Sequence, residues 1–129
     1  MLCTKRKIKM VLNKMIYIVD DNQYVREGFM SLLKSAGFTS NSFGSAAEFL
    51  KSYQHGEKDL LLLDMNMPQM SGCYLLENLQ KEKIVLPVII ITSFDDKVYR
   101  DCAKNYGALA YLRKPVDSEA LIDLIKFYL

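Results

Sequence analysis

Four short apolar runs in this chain each lead to a residue able to do chemistry. Ile16–Val19 ends at Asp20 and Asp21, Leu60–Leu63 at Asp64, Val88–Ile91 at Thr92, and Ala110–Leu112 leads to Lys114. An apolar run of this length followed by a helical pattern reads as a parallel strand, and in an open parallel sheet ligands gather outside the carboxyl ends of the strands. One cleft would then hold three carboxylates, a hydroxyl and an ammonium. Carboxylates brought that close repel one another and lose hydration. A divalent cation among them relieves the repulsion, and oxygen-only ligands with room for water suit Mg²⁺. The chemistry this points to is phosphoryl transfer at a carboxylate.

The elements that must position these groups follow from the pattern between them. Met15–Val19 is apolar and β-rich throughout, as a strand covered on both faces is. Asn22 is placed to cap a first helix, in which Val25, Phe29, Leu32, Leu33 and Ala36 recur at helical spacing before Gly37 stops it. Thr39–Phe43 mixes polar and apolar residues, which predicts an edge strand. Ser45 with Glu48 forms a capping box for a second helix buried through Phe49 and Leu50 and ending near Gln54-His55-Gly56.

Leu60–Leu63 is ambiguous by propensity, but its length and bracketing by Asp59 and Asp64 predict a buried strand. Pro68 and Gly72 frame a loop before a third helix that runs to about Lys81. Val85–Ile91 is the next strand, with Pro87 near its start. Asp95-Asp96 opens a fourth helix through Tyr106, closed by Gly107, and Ala108–Leu112 is a fifth strand. Asp117 or Ser118 caps a last helix with an apolar face of Leu121, Leu124, Ile125 and Tyr128. Strand–helix alternation with short loops predicts right-handed crossovers and a three-layer α/β sandwich.

Length and composition agree with one domain: 129 residues, half hydrophobic and a quarter charged, with no room for a second. The net charge of +2 is unevenly spread. Residues 1–14 carry five of the seventeen basic residues and no acid, leaving twelve bases against fifteen acids, about −3, from Met15 onward. A basic flexible leader (1–14) on a mildly acidic domain (15–129) does not make a nucleic-acid-binding surface. Cys3, Cys73 and Cys102 are odd in number and share no metal spacing, so they are expected to remain thiols in a reducing cytosol. His55 is the sole histidine, which argues against histidine-based metal or triad chemistry. The leader lacks an apolar core, so neither a secretory signal nor a membrane span is expected.

At these residues the chain resembles the receiver domain of two-component response regulators, of the CheY-like superfamily. Asp20-Asp21, the run Asp64-Met65-Asn66-Met67-Pro68-Gln69-Met70-Ser71-Gly72, Thr92-Ser93 and Tyr111-Leu112-Arg113-Lys114-Pro115 match that pattern in order and spacing. Ile16–Asp21, Ser45–Leu50 and Ile91–Asp95 are most similar to the FixJ-like branch, whose longer members usually carry a DNA-binding output domain. The resemblance implies a flavodoxin-like (βα)5 fold with a parallel sheet in strand order 2-1-3-4-5. It implies that Asp64 is the phosphorylated nucleophile, that Asp21 binds Mg²⁺ directly and Asp20 mainly through water, and that Asn66 offers its backbone carbonyl to the metal.

By the same resemblance Lys114 pairs with Asp64 and then with a phosphoryl oxygen, while the Lys114–Pro115 bond is cis, so that Pro115 aims the lysine into the cleft. Thr92 donates its hydroxyl to the phosphoryl group, and Tyr111 rotates into the space Thr92 leaves, a two-state element biased by local charge. The plainer readings are a strand-end acid, a solvated lysine and an ordinary half-buried tyrosine. The first loses force for Asp64 because of its neighbours, and the second for Lys114 because an apolar strand precedes it and Pro115 follows it, whereas for Tyr111 both readings hold at once. Phe94 departs from the pattern and is expected to shield the acyl phosphate. Tyr106 and Lys104 also depart from it, on the helix that usually carries the output. Tyr24, Arg26 and Met30 are expected to be exposed on the first helix, the face that meets histidine kinases.

The implied partner is a sensor histidine kinase or a histidine phosphotransfer protein, with a homodimer through the fourth-helix and fifth-strand face on phosphorylation. The implied location is the cytoplasm, and the implied output is transcription regulation when joined to a longer regulator. The chain is then a signalling domain, not an enzyme beyond self-phosphorylation and autodephosphorylation. A haloacid-dehalogenase-like phosphatase shares the aspartate, Mg²⁺, Ser/Thr and Lys. It wants an acid two residues after its nucleophile, where this chain has Asn66, and metal acids downstream, where Asp20-Asp21 lie upstream. A receiver-shaped interaction module that is never phosphorylated is the third reading.

Overall fold

The structure is a computed structural model that describes residues 14–54 and 58–129. The leader, apart from Lys14, and His55 lie outside the described residues. Element order is β1 (Met15–Val19), α1 (Gln23–Ser35), β2 (Thr39–Phe43), α2 (Ala46–Ser52), β3 (Leu60–Leu63), α3 (Gly72–Lys81), β4 (Val88–Thr92), α4 (Lys97–Tyr106), β5 (Ala110–Arg113) and α5 (Ser118–Tyr128). All strand pairs are parallel and the sheet order is β2-β1-β3-β4-β5, as expected for a flavodoxin-like fold.

Each strand alternates between two cores. Ile16, Ile18, Leu60, Leu62, Ile89 and Ile91 pack with Leu33 of α1 and Leu121, Ile122 and Ile125 of α5. On the other face, Val19, Leu61, Leu63, Val88 and Ile90 pack with Phe49 of α2, Leu75, Leu76 and Leu79 of α3 and Ala103 of α4. Burying each Leu or Ile contributes about 1.5–3 kcal/mol relative to leaving it in water. This two-sided burial explains why β3 can be Leu-Leu-Leu-Leu: tertiary packing overrides the helical preference of leucine.

Helix ends are set by local chemistry. Asn22 accepts from the Tyr24 and Val25 amides, and Ser45 accepts from the Glu48 amide while Glu48 reaches back to the Gly44 N–H. Asp96 caps α4, and Asp117 rather than Ser118 caps α5. After α1, Gly37 at φ 89° closes a Schellman turn, with Phe38 donating to the Leu33 carbonyl at 2.9 Å.

The structure corrects four expectations. The fourth strand starts at Val88, not Val85, because Pro87 has no amide to donate; the Pro87 carbonyl still accepts from Leu61. The fifth strand starts at Ala110 because the Ala108 amide is used to close α4, donating to Ala103. On α5, Ile122 is buried and Tyr128 is exposed, so the apolar face is rotated toward Ile122. The largest correction is a disulfide between Cys73 of α3 and Cys102 of α4, with Cα atoms 5.7 Å apart. Helix packing brings together two positions 29 residues apart, and no local spacing announces such a pair.

Candidate functional site

The site is built at the carboxyl ends of β1, β3, β4 and β5. Register carries it there: Val19 pairs with Phe43 and Leu63, and Thr92 pairs with Arg113. Beyond the last pairs, the Asp20 amide donates to Phe43, the Asp64 amide to Val19 and the Lys114 amide to Thr92, at 3.2, 2.9 and 2.9 Å. Three backbone bonds therefore fix the Cα positions of three of the candidate residues.

Asp20, Asp21 and Asp64 each bring one carboxylate oxygen within 4.8 Å of the others. Asp20 and Asp64 are buried and Asp21 is exposed, which gives the cluster one open side. The Lys114 ammonium enters from β5, 2.7 Å from Asp20 Oδ2 and 3.5 Å from Asp64 Oδ2. It thus pairs more closely with Asp20 than with the expected Asp64. The Lys114–Pro115 bond is cis. Asp20 Oδ1 accepts from the Asn22 amide at 2.9 Å, which ties the acid to the start of α1.

Electrostatics follow from this crowding. Burial, then the Asp20 charge, pushes the Asp64 carboxyl above the ordinary carboxylate range. Lys114, the Asn66 amide and the Thr92 side chain pull the other way without cancelling the rise. Burial alone would lower the Lys114 pKa, but its hydrogen bond to Asp20 and the charges of Asp20 and Asp64 outweigh burial and hold it above the usual lysine value. One ammonium among three carboxylates leaves an excess of negative charge on oxygen donors, and this donor set fits a hard divalent cation such as Mg²⁺.

The loop after Asp64 is anchored by alternate burial. Met65 and Met67 enter the core while Asn66 between them is exposed. Asn66 donates its amide to Asp64 Oδ1 at 3.1 Å, and its side-chain oxygen accepts from the Tyr99 hydroxyl of α4 at 3.4 Å. Gly72 closes the loop: a Cβ there would lie 2.9 Å from Met65 Cα and 3.0 Å from the Asp64 carbonyl oxygen.

Thr92 is fully buried, and its hydroxyl accepts from the Phe94 amide at 3.3 Å. The Tyr111 hydroxyl donates to the Phe94 carbonyl at 3.4 Å. The backbone of Phe94 thus links Thr92 to Tyr111, while Phe94 as a residue is 57% exposed, more open than a shield requires.

Sequence reasoning missed several of these supports. Arg26 was expected on an open face, yet its guanidinium is half-buried and donates to the Asp20 carbonyl at 2.7 Å. Met30 is half-buried against the α1–α5 core, and Tyr24 is exposed. The roles of Arg26, Tyr99 and Gly72 depend on contacts across the fold. The buried-exposed-buried rhythm of Met65-Asn66-Met67 was available as a period-two signal.

The response regulator receiver domain profile matches residues 16–126. The chain belongs to the response regulator receiver domains. This receiver is 34% identical over 111 residues to the DNA-binding transcriptional regulator NtrC of Escherichia coli K12, covering 86% of this chain and 24% of NtrC. It is 34% identical over 111 residues to the transcriptional regulatory protein FixJ of Rhizobium meliloti, covering 86% of this chain and 54% of FixJ. The crystal structure of FixJ-N superposes with a TM-score of 0.80 at 33% identity, covering 89% of this chain and 92% of that one. The receiver therefore spans between a quarter and about half of these curated relatives. Receiver domains are signalling domains of two-component systems, typically with an Mg²⁺-binding acidic pocket, that interact with histidine kinases or phosphotransfer proteins. Among the described residues, no helix is long and apolar enough to cross a membrane.

Proposed function

We propose that Asp64 accepts a phosphoryl group from a phosphohistidine of a sensor histidine kinase or histidine phosphotransfer protein, and that the receiver reports this state on its α4–β5–α5 surface. The observation that carries the reading is the Lys114 ammonium lying between the buried Asp20 and Asp64 carboxylates, with Asp21 open beside them. An Asp64 oxygen attacks phosphorus, the phosphorus–nitrogen bond breaks, and its electron pair leaves with the imidazole. Asp20, Asp21, Asp64 and the Asn66 carbonyl would hold Mg²⁺, which when bound offsets charge on the phosphoryl oxygens. Lys114 supplies a point charge for one of those oxygens.

The new acyl phosphate carries close to two negative charges and draws the Thr92 hydroxyl toward it. The Phe94 amide then loses its acceptor, the β4–α4 loop relaxes, and Tyr111 is released from the Phe94 carbonyl. A groove of about 550 Å³ opens beside Lys114 between α1 and the turn after β5. Tyr24, Val25, Phe29, Leu32, Pro115 and Val116 line it, an apolar surface suited to a helical kinase partner. We further assign residues 15–129 to this receiver, residues 1–14 to a basic leader, its work to the cytoplasm, and its output to transcription control through a DNA-binding domain of the kind its relatives' names imply, with dimerisation through α4 and β5. The family match favours this reading over a dehalogenase-like phosphatase.

The test is incubation with Mg²⁺ and acetyl phosphate, followed by intact mass. One phosphoryl group is expected on the native protein and none on Asp64→Asn. Native protein that gains no mass and binds no beryllofluoride would be the unphosphorylated interaction module instead.

A further inference from the structure

The phosphoryl cycle makes no use of the disulfide between α3 and α4. Its placement is informative. Cys73 follows Gly72, whose backbone lies against the Asp64 carbonyl, so one end of the bridge begins at the wall of the acidic site. Cys102 lies mid-way along α4 on a stripe with Tyr99 and Tyr106. Tyr99 reaches Asn66, and the Tyr106 hydroxyl donates to the Leu86 carbonyl at 2.8 Å. The adjoining side of α4, with Arg100, Ala103 and Lys104, lines a groove with Ala108, Ala110 and Tyr111. The bridge thus fastens one side of the helix whose neighbouring side faces the Tyr111 switch. Both cysteines are half-buried, not sealed in the core.

We propose that Cys73 and Cys102 form a reversible oxidation site that clamps α4 to α3, so that the receiver transmits the phosphoryl signal only while the pair is reduced. The clamp rests on the phosphoryl-acceptor reading above. Geometry sets its strength: a disulfide holds its Cα atoms within roughly 4.4–6.8 Å, and switching helices move by about 1–2 Å. Starting from 5.7 Å, such a movement of α4 away from α3 reaches or passes the limit of the bond. In a reducing compartment a disulfide persists only as a transient or sensing device, which fits a switch better than a structural staple.

The oxidant is a small-molecule disulfide of the glutathione class. The thiolate of Cys73, in the N-terminal turn of α3, attacks one sulfur and expels a small thiolate with the bonding pair. The Cys102 thiolate attacks the mixed disulfide and expels the second. Two protein thiols are oxidised, one small disulfide is reduced to two thiols, and the two protein protons end on the leaving thiolates or in water.

The experiment equilibrates the purified chain with reduced or oxidised glutathione and locates the Cys73–Cys102 cross-link by peptide mass. It then follows hydrogen exchange of α4 with and without Mg²⁺ and beryllofluoride. The reduced protein and the Cys73→Ser/Cys102→Ser variant are expected to change exchange in α4 on activation. The oxidised protein is expected to lose that change and regain it with dithiothreitol. Failure of the pair to cross-link, or an equal response in both redox states while the reduced protein responds, overturns the clamp alone. A reduced protein and double-serine variant that both ignore beryllofluoride overturn the phosphoryl-acceptor reading and the clamp with it.

Discussion

Burial and the neighbouring Asp20 charge hold the Asp64 pKa above its ordinary value, and this has a thermodynamic sign. The folded state binds the Asp64 proton more tightly than the unfolded chain does. Stability from this group is therefore lost as pH rises from the usual carboxylate pKa through the raised one, and at neutral pH the ionised carboxylate works against the fold. Asp64→Asn keeps the shape and removes that charge, while Lys114 retains Asp20 as its partner. The variant is expected to be more stable than native protein at pH 7 by about 0.5–2 kcal/mol, with the gain fading toward about pH 4. Thermal melts across that range check it; an equal or lower melting temperature for Asp64→Asn at neutral pH would refute the argument. The residue types of the site were legible because each stands at the end of an apolar run. Their pairing was not. Sequence assigned Lys114 to Asp64, whereas its closest contact to Asp20 depends on side-chain packing across β1 and β5.

At the scale of elements, legibility followed burial. The bounds of β1, β2 and β3 were readable because polar or turn residues bracket each run. The starts of β4 and β5 were misplaced, since Pro87 and the closing turn of α4 decide them and hydrophobicity does not register either. The bridge from α3 to α4 was invisible for a further reason: a contact between two helices leaves no spacing in one chain. The α4 helix is held along one side by Tyr99, Cys102 and Tyr106, and at its end by Gln80 donating to the Asn105 carbonyl. Tyr106, unusual for this position in the family resemblance, thus acts as a pin. Tyr106→Phe removes the donor and leaves the Leu86 carbonyl without it, at a cost of about 1 kcal/mol. Urea unfolding is expected to shift its midpoint down by that amount at unchanged m, with faster amide exchange at the end of α4. Unchanged exchange there would mean that the hydroxyl pins nothing.

Across the whole molecule, the acidic site exists only while the sheet is in register. Asp20, Asp64 and Lys114 come from strands that pair along β1, β3, β4 and β5, and no two of these strands are joined without a helix between them. Loss of either core would disperse the ligands, so a cation that binds them binds the native fold and has no comparable site in the unfolded chain. Linkage then makes Mg²⁺ a stabiliser of the entire domain, by about 2.7 kcal/mol at a concentration a hundredfold above its dissociation constant. The melting temperature of native protein is expected to climb with Mg²⁺ at constant ionic strength. Asp21→Asn should blunt that climb, because Asp21 is the exposed carboxylate and the substitution disturbs no buried pair. Sodium at matched ionic strength should give no such rise, since screening of surface charge is common to both salts and coordination by clustered oxygens is not. An identical Mg²⁺ response in native and Asp21→Asn protein would show that the ion acts elsewhere, and the acidic cluster would lose its claim to be the metal site.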